Sequence, residues 1–227
     1  MRQLWRAPPV KAQFGPTLPQ LLAPRIDSLP RIVARILGVL GVLAVLAIVL
    51  LALRLRDPVY SFPGPPAKLR FSTSYSRTMT REPTRPGVLL SLRENSSVGL
   101  AASFQISKLA LPRYDGQISG LLPVIAAKLI ARQSAADPTF VLWSQGRTRI
   151  NLVPGYTFTF QQTIDGRPYW GRYVLLTPDI SGDRVGLEIS MLTDPALLAS
   201  ATPPVTPDSV ASVGVLFEPL ERLRFIG

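Results

Sequence analysis

The side chains with the clearest chemical potential are an aromatic ring and several arginines in the second half of the chain. In residues 169–173, YWGRY, strand alternation puts Trp170 and Arg172 on one face and the two tyrosines on the other. Arg147 and Arg149 likewise share a face of an earlier strand. If these four side chains project outward together, they form an aromatic-cationic surface suited to an acidic headgroup, a glycan or a partner protein.

The same residues also have a structural interpretation. Trp170 can lie under a helix in the core, with the arginines as ordinary solvated strand residues. The two interpretations differ in what alanine replacement of Trp170 or Arg172 would do. On an exposed surface the replacement weakens binding and leaves stability unchanged, whereas a large loss of stability indicates a core position.

The chain contains no cysteine and no histidine. This excludes disulfides, thiolate nucleophiles, zinc sites built on Cys or His, and a Ser-His-Asp triad. Asp179 and Asp183 flank a Ser-Gly turn and are interpreted as solvated acids. The sequence therefore predicts no catalytic, cofactor-binding or metal residue. The enzymatic alternative is a carboxylate-dependent cell-envelope hydrolase, which needs two acids about 5–10 Å apart.

A long apolar segment lies near the start of the chain. Residues 36–53 read ILGVLGVLAVLAIVLLAL and include no polar side chain. As a helix they rise about 27 Å, close to the roughly 30 Å of a bilayer core. A core helix would show a polar face, and a signal peptide would end in a small-residue cleavage site, where this run ends in RLRDP. We predict one transmembrane helix over residues 32–56.

The positive charge is concentrated around this segment. The net charge is +11, and residues 1–56 hold eight Lys or Arg but one acid, whereas residues 57–227 hold seventeen and thirteen. Such placement indicates attraction to the membrane surface rather than nucleic-acid binding. The bias also favours a cytoplasmic N-terminus and an extracytoplasmic C-terminal domain.

Proline placement divides the rest of the chain. Residues 1–31 carry six prolines without sustained periodicity, which predicts a disordered basic cytoplasmic tail. Residues 57–67 predict a Pro-rich spacer, and residues 68–227 predict one α+β domain.

Hydrophobic periodicity sets the expected elements of this domain. Alternating or β-prone runs predict strands at residues 69–75, 87–93, 98–106, 139–143, 147–152, 156–160, 169–176 and 185–191. Helical spacing predicts one helix over residues 119–133 and a second beginning at Asp208, with Val210, Val213 and Phe217 inward. The order is three strands, a helix, a further run of strands and a closing helix, which predicts an antiparallel sheet with helices packed on it.

The layout resembles the PsbP-like α/β/α sandwich. The likeness lies in the long helix after the third strand, the residue 155–191 meander with its Asp165-Gly166 turn, and the closing helix followed by Leu223-Arg224-Phe225. The family includes photosystem extrinsic subunits and many exported or lipid-anchored actinobacterial proteins. The resemblance covers about residues 68–227 and concerns the order of elements. It implies a sandwich fold and a role in binding or assembly.

Taken together, these observations predict a membrane-tethered, non-enzymatic binding or scaffolding domain. The expected partners are the lipid bilayer and either an envelope protein or a lipid or glycan, with no nucleic acid and no cofactor. The expected location is the cell membrane, with the domain facing the periplasm or the cell exterior. The alternatives are the envelope hydrolase and a structural subunit of a membrane complex.

Overall fold

The computed structural model describes residues 31–54, 57–64, 69–116, 118–177, 185–198 and 206–226. The chain divides into two compact units at the boundary between Arg56 and Asp57. The predicted tail, apart from Arg31, and the turn acids Asp179 and Asp183 lie outside the described residues.

The first unit contains one helix, α1 (Arg31–Arg54), of 24 residues. Its described side chains, at positions 33, 36 and 38–50, are all exposed. Within the described residues, no helix is both long enough and apolar enough to cross a membrane. The predicted transmembrane helix over residues 32–56 therefore stays a prediction.

The second unit is α+β, with two antiparallel sheets and few helices. Its strands are β1 (Val59–Phe62), β2 (Phe71–Ser74), β3 (Thr80–Arg81), β4 (Val88–Ser96), β5 (Gly99–Ala110), β6 (Val141–Ile150), β7 (Val153–Ile164), β8 (Arg167–Leu176), β9 (Val185–Thr193) and β10 (Arg224–Phe225). Its helices are α2 (Ile118–Ala136) and α3 (Phe217–Glu221), with 3-10 turns at Pro195–Leu198 and Pro207–Ser209. The larger sheet has the order β3-β4-β5-β9-β8-β7-β6, and the smaller has β1-β2-β10.

The two faces of the larger sheet carry separate cores. On one, here called the α2 face, Leu122 and Ala126 of α2 pack with Phe158, Phe160 and Leu175. On the other, called the C-terminal face, the strands pack against β2 and the chain's last segment, through residues that include Phe104, Ile106, Ile189, Phe71, Leu216, Leu220 and Leu223. Each strand contributes side chains to both cores because successive side chains point to opposite faces.

The meander of β7, β8 and β9 is confirmed. Asp165 and Gly166 have φ of 52° and 76° and join β7 to β8, which pair from Ile164 and Arg167 onward. Two left-handed residues in a row are what a two-residue hairpin turn requires.

Two adjoining strand assignments need correction. The predicted strands at residues 139–143 and 147–152 form one continuous strand, β6, with a bulge between Leu142 and Ser144. The bulge absorbs the break in alternation that had suggested two strands. The predicted strand at residues 87–93 is longer than expected, because β4 continues to Ser96 and pairs there with Gly99.

The predicted spacer is also revised. Its residues 59–62 form β1, which pairs antiparallel with β2, Val59 opposite Ser74. The Tyr60 hydroxyl donates a 2.8 Å hydrogen bond to the carbonyl of Leu89. Proline flanks this short alternating run on both sides and is tolerated because β1 is an edge strand. Residues 65–67 of the spacer lie outside the described residues.

The predicted C-terminal helix is wrong in extent and in its inward face. Val210 is buried as expected, but Val213 and Phe217 are 37% and 45% exposed. Ala211 and Gly214 have φ of 63° and 72°, which no continuous right-handed helix accepts. The segment instead forms the 3-10 turn at Pro207–Ser209 and the five-residue α3, which buries Leu220.

Candidate functional site

The structure does not bring the four predicted surface residues together. Arg172 pairs with Met191, which belongs to the core on the C-terminal face. Arg147 pairs with Tyr156, which packs with the core on the α2 face. Arg149 shares the face of Arg147, since the two are two residues apart in one strand. The predicted patch is therefore split across the sheet.

On the C-terminal face, Arg172 has a structural role. Its Nε donates to Thr157 Oγ1 at 3.1 Å, and one terminal nitrogen donates to the carbonyl of Val210 at 3.1 Å. Burial lowers the pKa of the Arg172 guanidinium, and the charge of Asp208 opposes that shift. Trp170 is half-buried against the adjacent core. Trp170 thus packs on the core, and Arg172 is partly buried and hydrogen-bonded rather than an ordinary solvated strand residue.

Asp208 connects the 3-10 turn at Pro207–Ser209 to β6 and β7. Its Oδ1 accepts hydrogen bonds from Ser144 Oγ and, at 2.8 Å, from Thr159 Oγ1. The Ser144 hydrogen bond is the main cause lowering the pKa of Asp208; hydrogen bonds from Thr159 and Trp143 and the charge of Arg172 add to it, while burial opposes it. Sequence reasoning treated Asp208 as a helix cap, but it fastens the 3-10 turn to the sheet.

The exposed aromatic and the exposed arginines lie together on β6, the outermost strand of the larger sheet. Val141, Leu142 and Trp143 are 56%, 37% and 53% exposed. Further along the strand, Arg147 and Arg149 are also exposed. We call these five residues the β6 edge. Within the described part of the chain, neither arginine forms an ion pair.

Trp143 was missed because its exposure depends on strand order. Residues 139–143 read as a strand from sequence, but no local pattern shows that this strand ends the sheet. The bulge adds to the effect, because it places both Trp143 and Ser144 opposite Thr159. Trp143 thus shares a strand with the two arginines, but its hydrogen bond to Asp208 directs it to the C-terminal face, whereas Arg147 and Arg149 lie on the α2 face.

A depression lies beside β4 and β5. It has a volume of about 700 Å³ and is lined by Glu82, Pro83, Thr84, Arg85, Pro86, Val88, Ser91 and Gln105. Its one carboxylate, Glu82, accepts a 3.2 Å hydrogen bond from Ser91 and lies 3.7 Å from Arg93. Among the described residues, no three His, Cys, Asp or Glu side chains are grouped so as to hold a metal ion.

Comparison with known proteins gives similarity in structure alone. No family model and no curated protein sequence matches the chain. The solution structure of PsbP from the cyanobacterium Synechocystis is similar at 10% identity and a TM-score of 0.48, covering 75% of this chain and 94% of that one. The Ran-binding protein Mog1p of Saccharomyces cerevisiae is similar at 8% identity and a TM-score of 0.47, covering 75% and 95%. The first of these agrees with the resemblance stated from the sequence.

Proposed function

We propose that this chain is a membrane-tethered, non-enzymatic binding domain that captures an extended acidic segment of an envelope protein along β6. The observation that carries the proposal is the β6 edge itself. An outermost strand of ten residues offers two exposed arginines, neither in an ion pair with any described residue, and three consecutive exposed apolar side chains.

The backbone of an edge strand supplies the affinity. One side of β6 pairs with β7, and its other side presents N–H and C=O groups to which a further strand can bind. Ten residues of strand extend about 33 Å, so a segment of about ten residues matches its length. Side chains then provide the selection: carboxylates opposite Arg147 and Arg149, and an apolar residue against Trp143.

The charge on β6 favours a foreign segment over a second copy of this chain. Two paired β6 strands would place the arginines of both copies along one seam, and like charges across a strand pair are destabilising. An acidic segment turns the same arginines into favourable cross-strand partners.

The tether is proposed from the apolar sequence of residues 36–53 and the basic residues around it. As a helix, these eighteen apolar residues would rise about 27 Å, close to the roughly 30 Å of hydrocarbon. We further propose a cytoplasmic N-terminus and an extracytoplasmic domain, following the excess of basic residues before the span. Washing membranes at alkaline pH tests this: the full chain should stay in the pellet, and complete release would contradict the tether.

Capture can be tested with peptides before a partner is known. The full chain in nonionic detergent is titrated with a ten-residue peptide of alternating Glu and Val, and with its Lys-Val counterpart. The acidic peptide should bind more tightly, and the double variant R147E/R149E should reverse the preference. R113E is the matched control, because Arg113 is 80% exposed and outside β6. Equal binding of both peptides to the unmodified chain would contradict the proposal.

A further inference from the structure

We infer that the outer face of the smaller sheet carries a second site, which binds a phosphate group. The site is a depression of about 220 Å³ lined by Val59, Ser72, Thr73, Ser74, Arg222 and Arg224. We call it the β10 pocket. It is separate from the β6 edge, which belongs to the larger sheet.

Strand register brings hydroxyl and guanidinium groups to this face. In the middle strand, β2, Ser72 pairs with Ser61 of β1 on one side and with Arg224 of β10 on the other. Directly paired residues lie on the same face, so Ser72 and Arg224 face the pocket together. Arg222 reaches it from the end of α3, two residues earlier in the chain.

The donors in this pocket are only partly used. Arg224 donates to the carbonyls of Glu221 and Leu223, at 2.9 and 3.3 Å, both from one terminal nitrogen. A guanidinium has five N–H donors, and its Nε and second terminal nitrogen have no partner within the described part of the chain. The Ser72 hydroxyl has no hydrogen-bond partner among the described residues. By contrast, Thr73 already donates to the carbonyl of Pro219 at 2.7 Å.

One carboxylate faces these groups. Glu218 accepts a 3.0 Å hydrogen bond from Ser74 and lies 3.5 Å from the Nε of Arg222. Among the described groups named here, two guanidiniums oppose the Glu218 carboxylate, which leaves net positive charge beside the Ser72 hydroxyl. Arginine binds phosphate through paired, charge-assisted hydrogen bonds, so an anion with several oxygen acceptors is the ligand this set fits.

The proposed tether indicates one source of such an anion. A membrane-anchored domain is exposed to a high local concentration of lipid headgroups. This step rests on the proposed tether. The shared chemistry is a phosphate group, carried either by a lipid headgroup or by a free phosphate.

The test uses the full chain in nonionic detergent, titrated calorimetrically with inorganic phosphate. Saturable binding is expected, and R224Q should weaken it about tenfold, the loss of one charge-assisted pair. R222Q is a second variant with the same expectation. R113Q removes an exposed arginine elsewhere and should leave the affinity unchanged. Absence of saturable binding, or an equal loss in R113Q, would overturn the inference.

Lipid nanodiscs then distinguish the two sources of phosphate. With a headgroup in the pocket, added inorganic phosphate binds about tenfold more weakly in phosphatidylglycerol discs than in nonionic detergent, which carries no phosphate. Equal affinity in both assigns the pocket to free phosphate. If the chain fails to enter the discs but still binds phosphate, the tether is wrong and the β10 pocket stands.

Discussion

At the scale of single residues, Asp208 gives a pH-dependent prediction. Its folded-state pKa lies below its ordinary value, chiefly because Ser144 donates a hydrogen bond to it. A depressed carboxyl pKa contributes stability that is present above the unfolded-state pKa and lost as the pH falls through the folded-state pKa. D208N should therefore be less stable than the unmodified chain at neutral pH and equally stable in acid. Urea unfolding across a pH series measures this, and a pH-independent difference would contradict it.

Arg172 gives a second prediction at this scale. R172A removes the donors to Thr157 and to the carbonyl of Val210 and should lower the free energy of unfolding by about 1–3 kcal/mol. R147A, an exposed position on the opposite face, should change it by less than about 0.5 kcal/mol. Thermal or urea denaturation of both variants decides the matter. Equal stabilities for the two variants would contradict the structural role of Arg172.

Glu188 gives the opposite prediction to Asp208: its replacement should raise stability at neutral pH. Burial raises its pKa, and the charge of Arg132 only partly opposes that. Ionisation of Glu188 therefore costs stability once the pH exceeds the ordinary carboxyl pKa. E188Q should raise the unfolding temperature at neutral pH, and the gain should shrink as the pH falls below about 4. A lower unfolding temperature at neutral pH would show that the attraction between Glu188 and the charge of Arg132 outweighs the cost of burial.

The sequence predicted which face of its own strand each side chain occupies. It did not predict which side chains of different strands share a face. Alternation correctly separated Trp170 and Arg172 from Tyr169 and Tyr173, because the period of two is local. It could not predict whether Arg147 lies on the same face of the sheet as Trp170 and Arg172, since the register between two strands depends on turn length and bulges. The exposed position of Trp143 depends on strand order, which is a long-range property.

At the scale of elements, the β6–β7 turn stores strain. Asn151 and Leu152 have φ of 46° and 73°, and Leu152 is 83% exposed. A β-carbon in the left-handed region costs about 1–2 kcal/mol, and glycine removes that cost. L152G should therefore stabilise the chain by about 1 kcal/mol in urea unfolding. L152A keeps the β-carbon and is the control; an equal gain in both variants would point to lost apolar exposure instead.

The elements best predicted from sequence were those with strong local signals. Asp165-Gly166 specified a hairpin because both positions accept positive φ. The C-terminal helix was over-extended because Ala211, which needs positive φ here, is ordinarily a strong helix former. Strand β1 was missed because four residues between prolines carry little periodicity, and pairing with the distant β2 decides their conformation.

At the scale of the whole molecule, we propose three surfaces with separate tasks. The basic and apolar N-terminal segment holds the membrane, the β10 pocket takes a phosphate group, and the β6 edge receives a partner strand. Net charge supports this division, because the +11 of the full chain attracts both an anionic bilayer and acidic partners. It also implies that capture weakens as salt is raised, since exposed charges are screened.

Site-specific photocrosslinking in native membranes tests strand capture most directly. A photoreactive residue is placed at Leu142 on β6 and, as a matched control, at Leu152 in the neighbouring turn; both side chains are exposed. We expect a discrete adduct from position 142, attached to an acidic stretch of another envelope protein and lost in R147E/R149E. Adducts of equal yield from both positions, or one at position 142 that survives the charge reversal, would contradict capture at the β6 edge.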